Sequence, residues 1–139
     1  MNFPNDFFED LKKIANNYSD SERFLASLDG NYYRGIRVNT LKCSRDKLVS
    51  LLKLDAPTPF CKNGFYVEDD FSIGNHPLHH AGAYYSQEPS ATSAVTVLDP
   101  QKDEYILDLC AAPGGKSTQI AAALGGTGLI WSNEPVAKR

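Results

Sequence analysis

The chain has 139 residues, with 14 Lys+Arg against 17 Asp+Glu and a net charge of −3. Its 42% hydrophobic and 22% charged residues exclude a disordered chain, and no stretch approaches the ~20 apolar residues of a membrane-spanning helix. Three scattered cysteines, Cys43, Cys61 and Cys110, argue against a disulfide framework and a Cys-based zinc site, while the acidic balance lends no support to strong non-specific nucleic-acid binding. The N-terminus, MNFPNDFFEDLKK, carries acids where a signal peptide needs a basic start and an apolar block. A cytoplasmic protein without membrane attachment is expected.

Phe7, Leu11 and Ile14, widened by Phe8 and Ala15, recur at helical spacing, and Asn16-Asn17 weakens the pattern. A second short helix is predicted from about Ser21, with Phe24, Leu25 and Leu28 inward and Asp29-Gly30 as its stop. From Gly35 to Leu41, Ile36, Val38 and Thr40 alternate with Arg37 and Asn39, the period of a strand. Ser44 caps a third helix bearing Leu48, Leu51 and Leu52, which Pro57 and Pro59 break. Phe65-Tyr66-Val67 predicts a short strand and Glu68-Asp69-Asp70 a solvated turn. His76, His79 and His80 lack a nearby Cys or second acidic ligand, so they predict a histidine-rich loop and no metal site.

Arg34, Arg37, Lys42, Arg45 and Lys47 put five positive charges into fourteen residues. Two readings stand side by side: a solvated face, or a surface that contacts phosphates. Weight falls on Lys42, Arg45 and Lys47, which flank the turn into the third helix. Arg37 sits in the strand, where burial of both faces would leave it in an internal salt bridge.

The chemistry lies in the last forty residues. Ala91, Ala94, Val95 and Leu98 read as a helix stopped by Asp99-Pro100. Tyr105 to Leu109 is a short apolar run of the kind found in buried parallel strands. Cys110-Ala111-Ala112-Pro113-Gly114-Gly115-Lys116 follows, and such small residues let a backbone approach a ligand closely. A helix through Lys116 to Leu124, with Ile120, Ala121 and Leu124 on one face, ends at Gly125-Gly126. Leu129-Ile130-Trp131 then begins a second strand that runs into Asn133-Glu134.

Strand, Gly-rich turn, helix, strand and acid make a βαβ unit with a ligand crevice at the strand ends, where an acid accepts hydrogen bonds from ribose hydroxyls. A phosphate-binding loop would need glycine where Cys110 stands, and a dinucleotide fingerprint is absent. S-adenosylmethionine fits what remains: it offers a ribose to Glu134 and has no phosphate to cradle.

Asp108-Leu-Cys-Ala-Ala-Pro-Gly-Gly-Lys-Ser-Thr118 with Asn133-Glu134 resembles the Sun (Fmu-type) family of RNA 5-methylcytosine methyltransferases. Phe3-Pro4 with Phe7, Arg37 to Lys42, Gly64-Phe65-Tyr66 and Gly82 to Ala91 match as well, so the resemblance covers essentially the whole chain. It is strongest to bacterial members that modify 16S ribosomal RNA. It implies methyl transfer from S-adenosylmethionine to C5 of a cytosine. A thiolate that adds at C6 makes C5 nucleophilic. The family's two catalytic cysteines lie downstream, in Pro-Cys and Thr-Cys motifs that are missing here. No catalytic residue is therefore expected in this chain, which reads as the N-terminal part of a longer enzyme and as inactive by itself.

The resemblance makes Cys110, Ala111, Ala112, Pro113, Gly114, Gly115, Lys116 and Glu134 the cofactor-binding residues, and Lys42, Arg45 and Lys47 the candidate contacts to ribosomal RNA. The expected fold is α/β. A small α/β N-terminal domain spans 1–75, a connecting loop and helix 76–100, and the start of a Rossmann-like class I methyltransferase domain 101–139. A monomer is expected. Two rivals remain: an ATP-binding protein, and an RNA-binding module without catalysis.

Overall fold

The computed structural model describes residues 4–15, 21–28, 30 and 32–136. The chain forms two compact units, residues 1–32 and 33–139.

In the first unit, α1 (Asn5–Ala15) and α2 (Ser21–Ser27) are the two expected helices. Asp6 in the first turn of α1 and Lys12 and Lys13 in its last turn complement the helix dipole. Phe7 and Phe8 meet edge to face at 5.9 Å. The apolar stripe is covered less than its periodicity predicts, since Ile14 is 60% and Phe24 47% exposed. Two helices this short have little surface with which to cover one another. The predicted breaks at Asn16-Asn17 and Asp29, the inward side chain of Leu25 and the matching Phe3 lie outside the described residues.

The second unit opens with an antiparallel sheet of order β2-β1-β3, formed by β1 (Arg34–Val38), β2 (Gly64–Val67) and β3 (Tyr84–Ser86). Ile36 faces Phe65 on one side, and Arg37 faces Tyr85 on the other. Ser44 accepts a hydrogen bond from the Lys47 amide and starts α3 (Arg45–Leu52). Its Leu48 is fully buried among Ile36, Val38, Phe65, Ile73, Ala83 and Tyr84. The Tyr84 hydroxyl donates to the Ile73 carbonyl at 2.7 Å, and burial pushes its pKa up.

Several expectations are corrected here. The strand ends at Val38, and Thr40 is exposed in the following turn. The reason is that the Asn39 carbonyl and side chain turn back to take the Leu41, Lys42 and Cys43 amides. Of the apolar residues on the third helix, Leu51 is 56% exposed, because α3 turns Leu48 inward with Val49 and Leu52 packed beside it. The histidine segment is not a loop but the short helix α4 (Pro77–His80). His76 is its N-cap, its Nδ1 accepting from the Leu78 amide at 3.1 Å, and Pro77 sits at the first helical position, where its missing N–H costs nothing. The acidic segment is a turn as predicted. Its carbonyls at Glu68 and Asp69, and that of Phe71, accept from the Arg34 guanidinium.

A 3-10 turn (Ser90–Thr92) leads into α5 (Ser93–Leu98), which is followed by β4 (Tyr105–Asp108), α6 (Gly115–Leu124) and β5 (Leu129–Ser132). β4 and β5 pair in parallel, with Asp108 opposite Ser132, so the predicted βαβ unit is present. Val95, Ile120 and Leu124 form its core with Ile106 and Ile130. β4 is not a buried strand, however: Tyr105 and Leu107 are 82% and 59% exposed. The helices α5 and α6 cover one face of the pair, and no described element covers the other.

Candidate functional site

The site forms at the C-terminal ends of β4 and β5, where a parallel sheet collects ligands. Asp108 ends β4 nearly sealed from solvent and anchors the loop that follows. Its Oδ1 accepts the Cys110 amide at 3.2 Å and its Oδ2 the Ser117 hydroxyl at 2.6 Å. The two strand ends are tied by Asn133 N–H to Asp108 O and Ala111 N–H to Asn133 O. Glu134 follows β5 half-buried. Its Oε2 accepts the Ala112 amide at 3.2 Å, and its Oε1 the Val136 amide at 3.0 Å.

Gly114 has φ +106 just before α6 begins, a backbone position that side chains other than glycine's rarely adopt. The turn leads from Ala112, whose amide Glu134 holds, into the start of α6, and the first-turn amides of a helix have no intrahelical acceptor. Loop and carboxylate thus meet at the strand ends, through the Ala112 amide. Cys110 and Pro113 are exposed, while Ala111, Ala112, Gly114, Gly115 and Lys116 are half-buried. A cleft of about 640 Å³ between Arg37, Cys61, Val95 and Gln119 is lined by none of these loop residues.

Sequence reasoning missed the side chains that hold the loop from the neighbouring antiparallel sheet. The Tyr85 hydroxyl donates to the Pro113 carbonyl at 2.8 Å. Arg37 is 2% exposed and makes no internal salt bridge: among the described residues no carboxylate pairs with it. Neutral acceptors surround it instead. Its Nε donates to Gln87 Oε1 at 2.8 Å, and its Nη2 to Thr118 Oγ1 at 2.8 Å and to the Gly115 carbonyl at 3.3 Å. Burial pulls its pKa below the ordinary arginine value, with Cys61 and Tyr85 opposing. Gln87 continues to Gln119, whose amide reaches the Thr92 carbonyl. The signal available in the sequence was Arg37 on a strand whose other face is apolar. Its partner lies 81 positions away, which no local period reveals.

The basic cluster divides. Arg34 and Arg37 are spent on internal carbonyl, amide and hydroxyl acceptors. Arg45 lies 4.9 Å over the Phe65 ring and donates to the Lys62 carbonyl. Lys42 is exposed, with a long 3.4 Å bond to Ala81 O. Lys47 is exposed, and its ammonium meets no acceptor among the described residues.

Comparison with known families gives two matches in tandem. Residues 3–89 match the N-terminal domain of 16S rRNA methyltransferase RsmF, and residues 95–139 match 16S rRNA methyltransferase RsmB/F. The chain is 38% identical to the ribosomal RNA small subunit methyltransferase F of Photobacterium profundum, over 98% of its own length and 31% of that protein. It is 36% identical to the protein of the same name from Shewanella frigidimarina, over 96% and 29% of the two chains. It therefore spans about a third of the length of these relatives. Among solved structures, a methyltransferase homolog from Pyrococcus horikoshii superposes with a TM-score of 0.75 at 33% identity, covering 82% of this chain and 39% of that one. NSun6 from the same organism, solved with SFG, gives 0.81 at 21% identity, covering 99% and 60%.

Proposed function

The chain belongs to the RsmB/F family of 16S rRNA methyltransferases, and from that premise we propose that it is the N-terminal part of an S-adenosylmethionine-dependent enzyme that methylates C5 of a cytosine in 16S ribosomal RNA. The observation that carries this reading is the Glu134 carboxylate, fixed by the Ala112 and Val136 amides beside the left-handed Gly114 turn. S-adenosylmethionine fits this donor set. A carboxylate has about four lone-pair sites, and the two amides leave the rest for ribose hydroxyls. When bound, the cofactor supplies an electrophilic methyl group. The residues that would hold it are Glu134 and the backbone of Cys110, Ala111, Ala112, Pro113, Gly114, Gly115 and Lys116. By itself the chain is inactive in this reading, because it holds neither a Pro-Cys nor a Thr-Cys motif for attack on cytosine and release of the product.

Ribosomal RNA is the proposed partner, with Lys42, Arg45 and Lys47 as its contacts at the turn into α3. The reading is of a cytoplasmic monomer, and no helix among the described residues is long and apolar enough to cross a membrane. The division into a domain of 1–75, a connection of 76–100 and the cofactor domain from 101 belongs to the same proposal.

The test is Glu134→Ala in the complete protein that carries this chain. Removal of a charge-assisted acceptor lowers S-adenosylmethionine affinity by about 1.5–3 kcal/mol in calorimetry, and unchanged affinity overturns the assignment. For the RNA surface, the Lys42→Ala, Arg45→Ala, Lys47→Ala triple variant reduces the slope of log affinity against log salt by about 0.7–0.9 for each phosphate it no longer neutralises. A slope equal to the parent's returns the cluster to an ordinary solvated face.

A further inference from the structure

Three successive carbonyls of the loop are held from behind. Pro113 O takes the Tyr85 hydroxyl at 2.8 Å. Gly114 O takes the Thr118 hydroxyl at 2.7 Å and the Thr118 amide at 2.9 Å. Gly115 O takes the Arg37 guanidinium, which also donates to the Thr118 hydroxyl at 2.8 Å. Two of these side chains, Arg37 and Tyr85, stand opposite one another on β1 and β3, and the guanidinium lies 5.8 Å from the Tyr85 ring centroid.

In a trans peptide the N–H points opposite to the C=O. Among the described residues the cis bond is Ala112-Pro113, so the peptides after Pro113, Gly114 and Gly115 are trans. The Tyr85 and Arg37 bonds hold the Pro113 and Gly115 carbonyls toward the sheet and so aim the amides of Gly114 and Lys116 away from it, while Thr118, on α6 itself, fixes the Gly114 carbonyl and with it the Gly115 amide. A glycine pair has the widest choice of backbone angles, so without the three donors this turn would sample many amide directions. The ordering entropy would then be charged against ligand binding.

Arg37 is a poor choice if the contact serves only to glue sheet to helix. A buried cation without a counter-charge is costly, and apolar residues of similar volume do that job at least as well. What the planar fork offers is several donors in fixed directions. The acceptors it reaches are the turn carbonyl, the hydroxyl that itself holds the preceding carbonyl, and Gln87. Gln87 in turn lies against the turn, since a Cβ built on Gly115 would come within 3.3 Å of its Nε2.

We propose that Arg37, with Tyr85 and Thr118, is a positioning residue that fixes the direction of the Gly114, Gly115 and Lys116 amides toward the cofactor. This rests on the S-adenosylmethionine reading above. It makes the antiparallel sheet part of the cofactor site as well as a platform beside it.

The experiment compares Arg37→Lys, Tyr85→Phe and Thr118→Val with the parent, in the complete protein that carries this chain. S-adenosylmethionine is titrated calorimetrically, and the Gly114 and Gly115 amide resonances are followed by NMR. Arg37→Lys keeps the charge but not the fork, and weakens binding about tenfold, the equivalent of one charge-assisted bond. Tyr85→Phe and Thr118→Val each weaken it severalfold, and the glycine amides shift or broaden without ligand. Because Arg37 and Thr118 act in one relay, the double variant Arg37→Lys, Thr118→Val weakens binding by less than the product of the single effects. If Arg37→Lys fails to fold, the other two variants decide, each taking away a single hydroxyl. Parent affinity and unmoved glycine amides in these variants overturn the positioning role alone. A parent that does not bind S-adenosylmethionine overturns both this and the reading beneath it.

Discussion

The antiparallel sheet β2-β1-β3 and the parallel pair β4-β5 draw on the same kinds of residue, yet their apolar side chains meet very different surroundings. Ile36, Val38, Phe65 and Tyr84 are 1–2% exposed, whereas Tyr105, Leu107 and Trp131 are 82%, 59% and 69% exposed. In β1 even Arg37, on the opposite face from Ile36 and Val38, is sealed. α3 and the segment leading to β3 cover one face of this sheet, and the start of α6 with Gln87 closes over Arg37 on the other. The parallel pair has α5 and α6 on one side and no described cover on the other. Burial is thus set by what each face meets, and hydrophobic pattern alone does not report it.

The sharpest way to break this comparison is to cut the same kind of group from each sheet. Phe65→Ala opens a cavity in a filled core and costs about 3–5 kcal/mol. Leu107→Ala trims a residue already 59% exposed and costs far less, about 0.5 kcal/mol. Urea unfolding of the two variants measures both. A Leu107→Ala effect as large as that of Phe65→Ala would mean that the open face is covered in solution.

The turns that feed the two sheets differ in the same sense. Gly128, before β5, has φ +69, and a Cβ there would collide with the Glu104 carbonyl oxygen. Gly128→Ala therefore costs about 1–2 kcal/mol for the left-handed backbone alone, with the collision added to it. Gly74, in the segment before α4, would meet nothing within 4 Å. Gly74→Ala is neutral or stabilises by about 0.4–1 kcal/mol through the unfolded chain. Thermal unfolding separates the pair, and equal destabilisation would show that the tight approach of Gly128 to Glu104 is not maintained.

What the sequence revealed follows the same divide. The loop from Cys110 to Lys116 and Glu134 could be read because a βαβ unit is local: strand, turn, helix and acid lie within thirty residues, from Tyr105 to Glu134. The helices around Leu48 and Ile120 were readable for the same reason. β3 was not, since three residues are too few to display a period. Its existence depends on pairing with β1 nearly fifty positions earlier, Ile36 with Ser86 and Val38 with Tyr84. Arg37 shows the limit most directly. Alternation assigns it to the second face of a strand, but its partners Gln87, Gly115 and Thr118 come from two later stretches of chain. An internal cation satisfied by neutral acceptors leaves no acidic signature to search for.

The smallest effect concerns the joint between the two sheets. After β3 the chain must turn into α5, and Glu88 holds that turn. Its Oε1 accepts the Ser90 amide at 3.0 Å, and its Oε2 accepts the Ser90 hydroxyl at 2.6 Å and the Ala91 amide at 2.9 Å. The Ser90 hydroxyl above all holds the carboxyl below the usual carboxylate range; desolvation opposes it, and the Ser90 and Ala91 amides add to the lowering. A carboxylate whose folded pKa is depressed adds stability that is fully present above its unfolded pKa. That stability is lost as pH falls through the lower folded value. Glu88 is exposed, so solvent screens the gain and the contribution is modest. Glu88→Gln keeps the acceptor oxygen and removes the charge. Parent and variant should differ in melting temperature at neutral pH, and the gap should close as pH drops below the ordinary carboxylate range. A gap independent of pH would assign the turn to hydrogen-bond geometry alone, and would leave the joint between the sheets insensitive to acid.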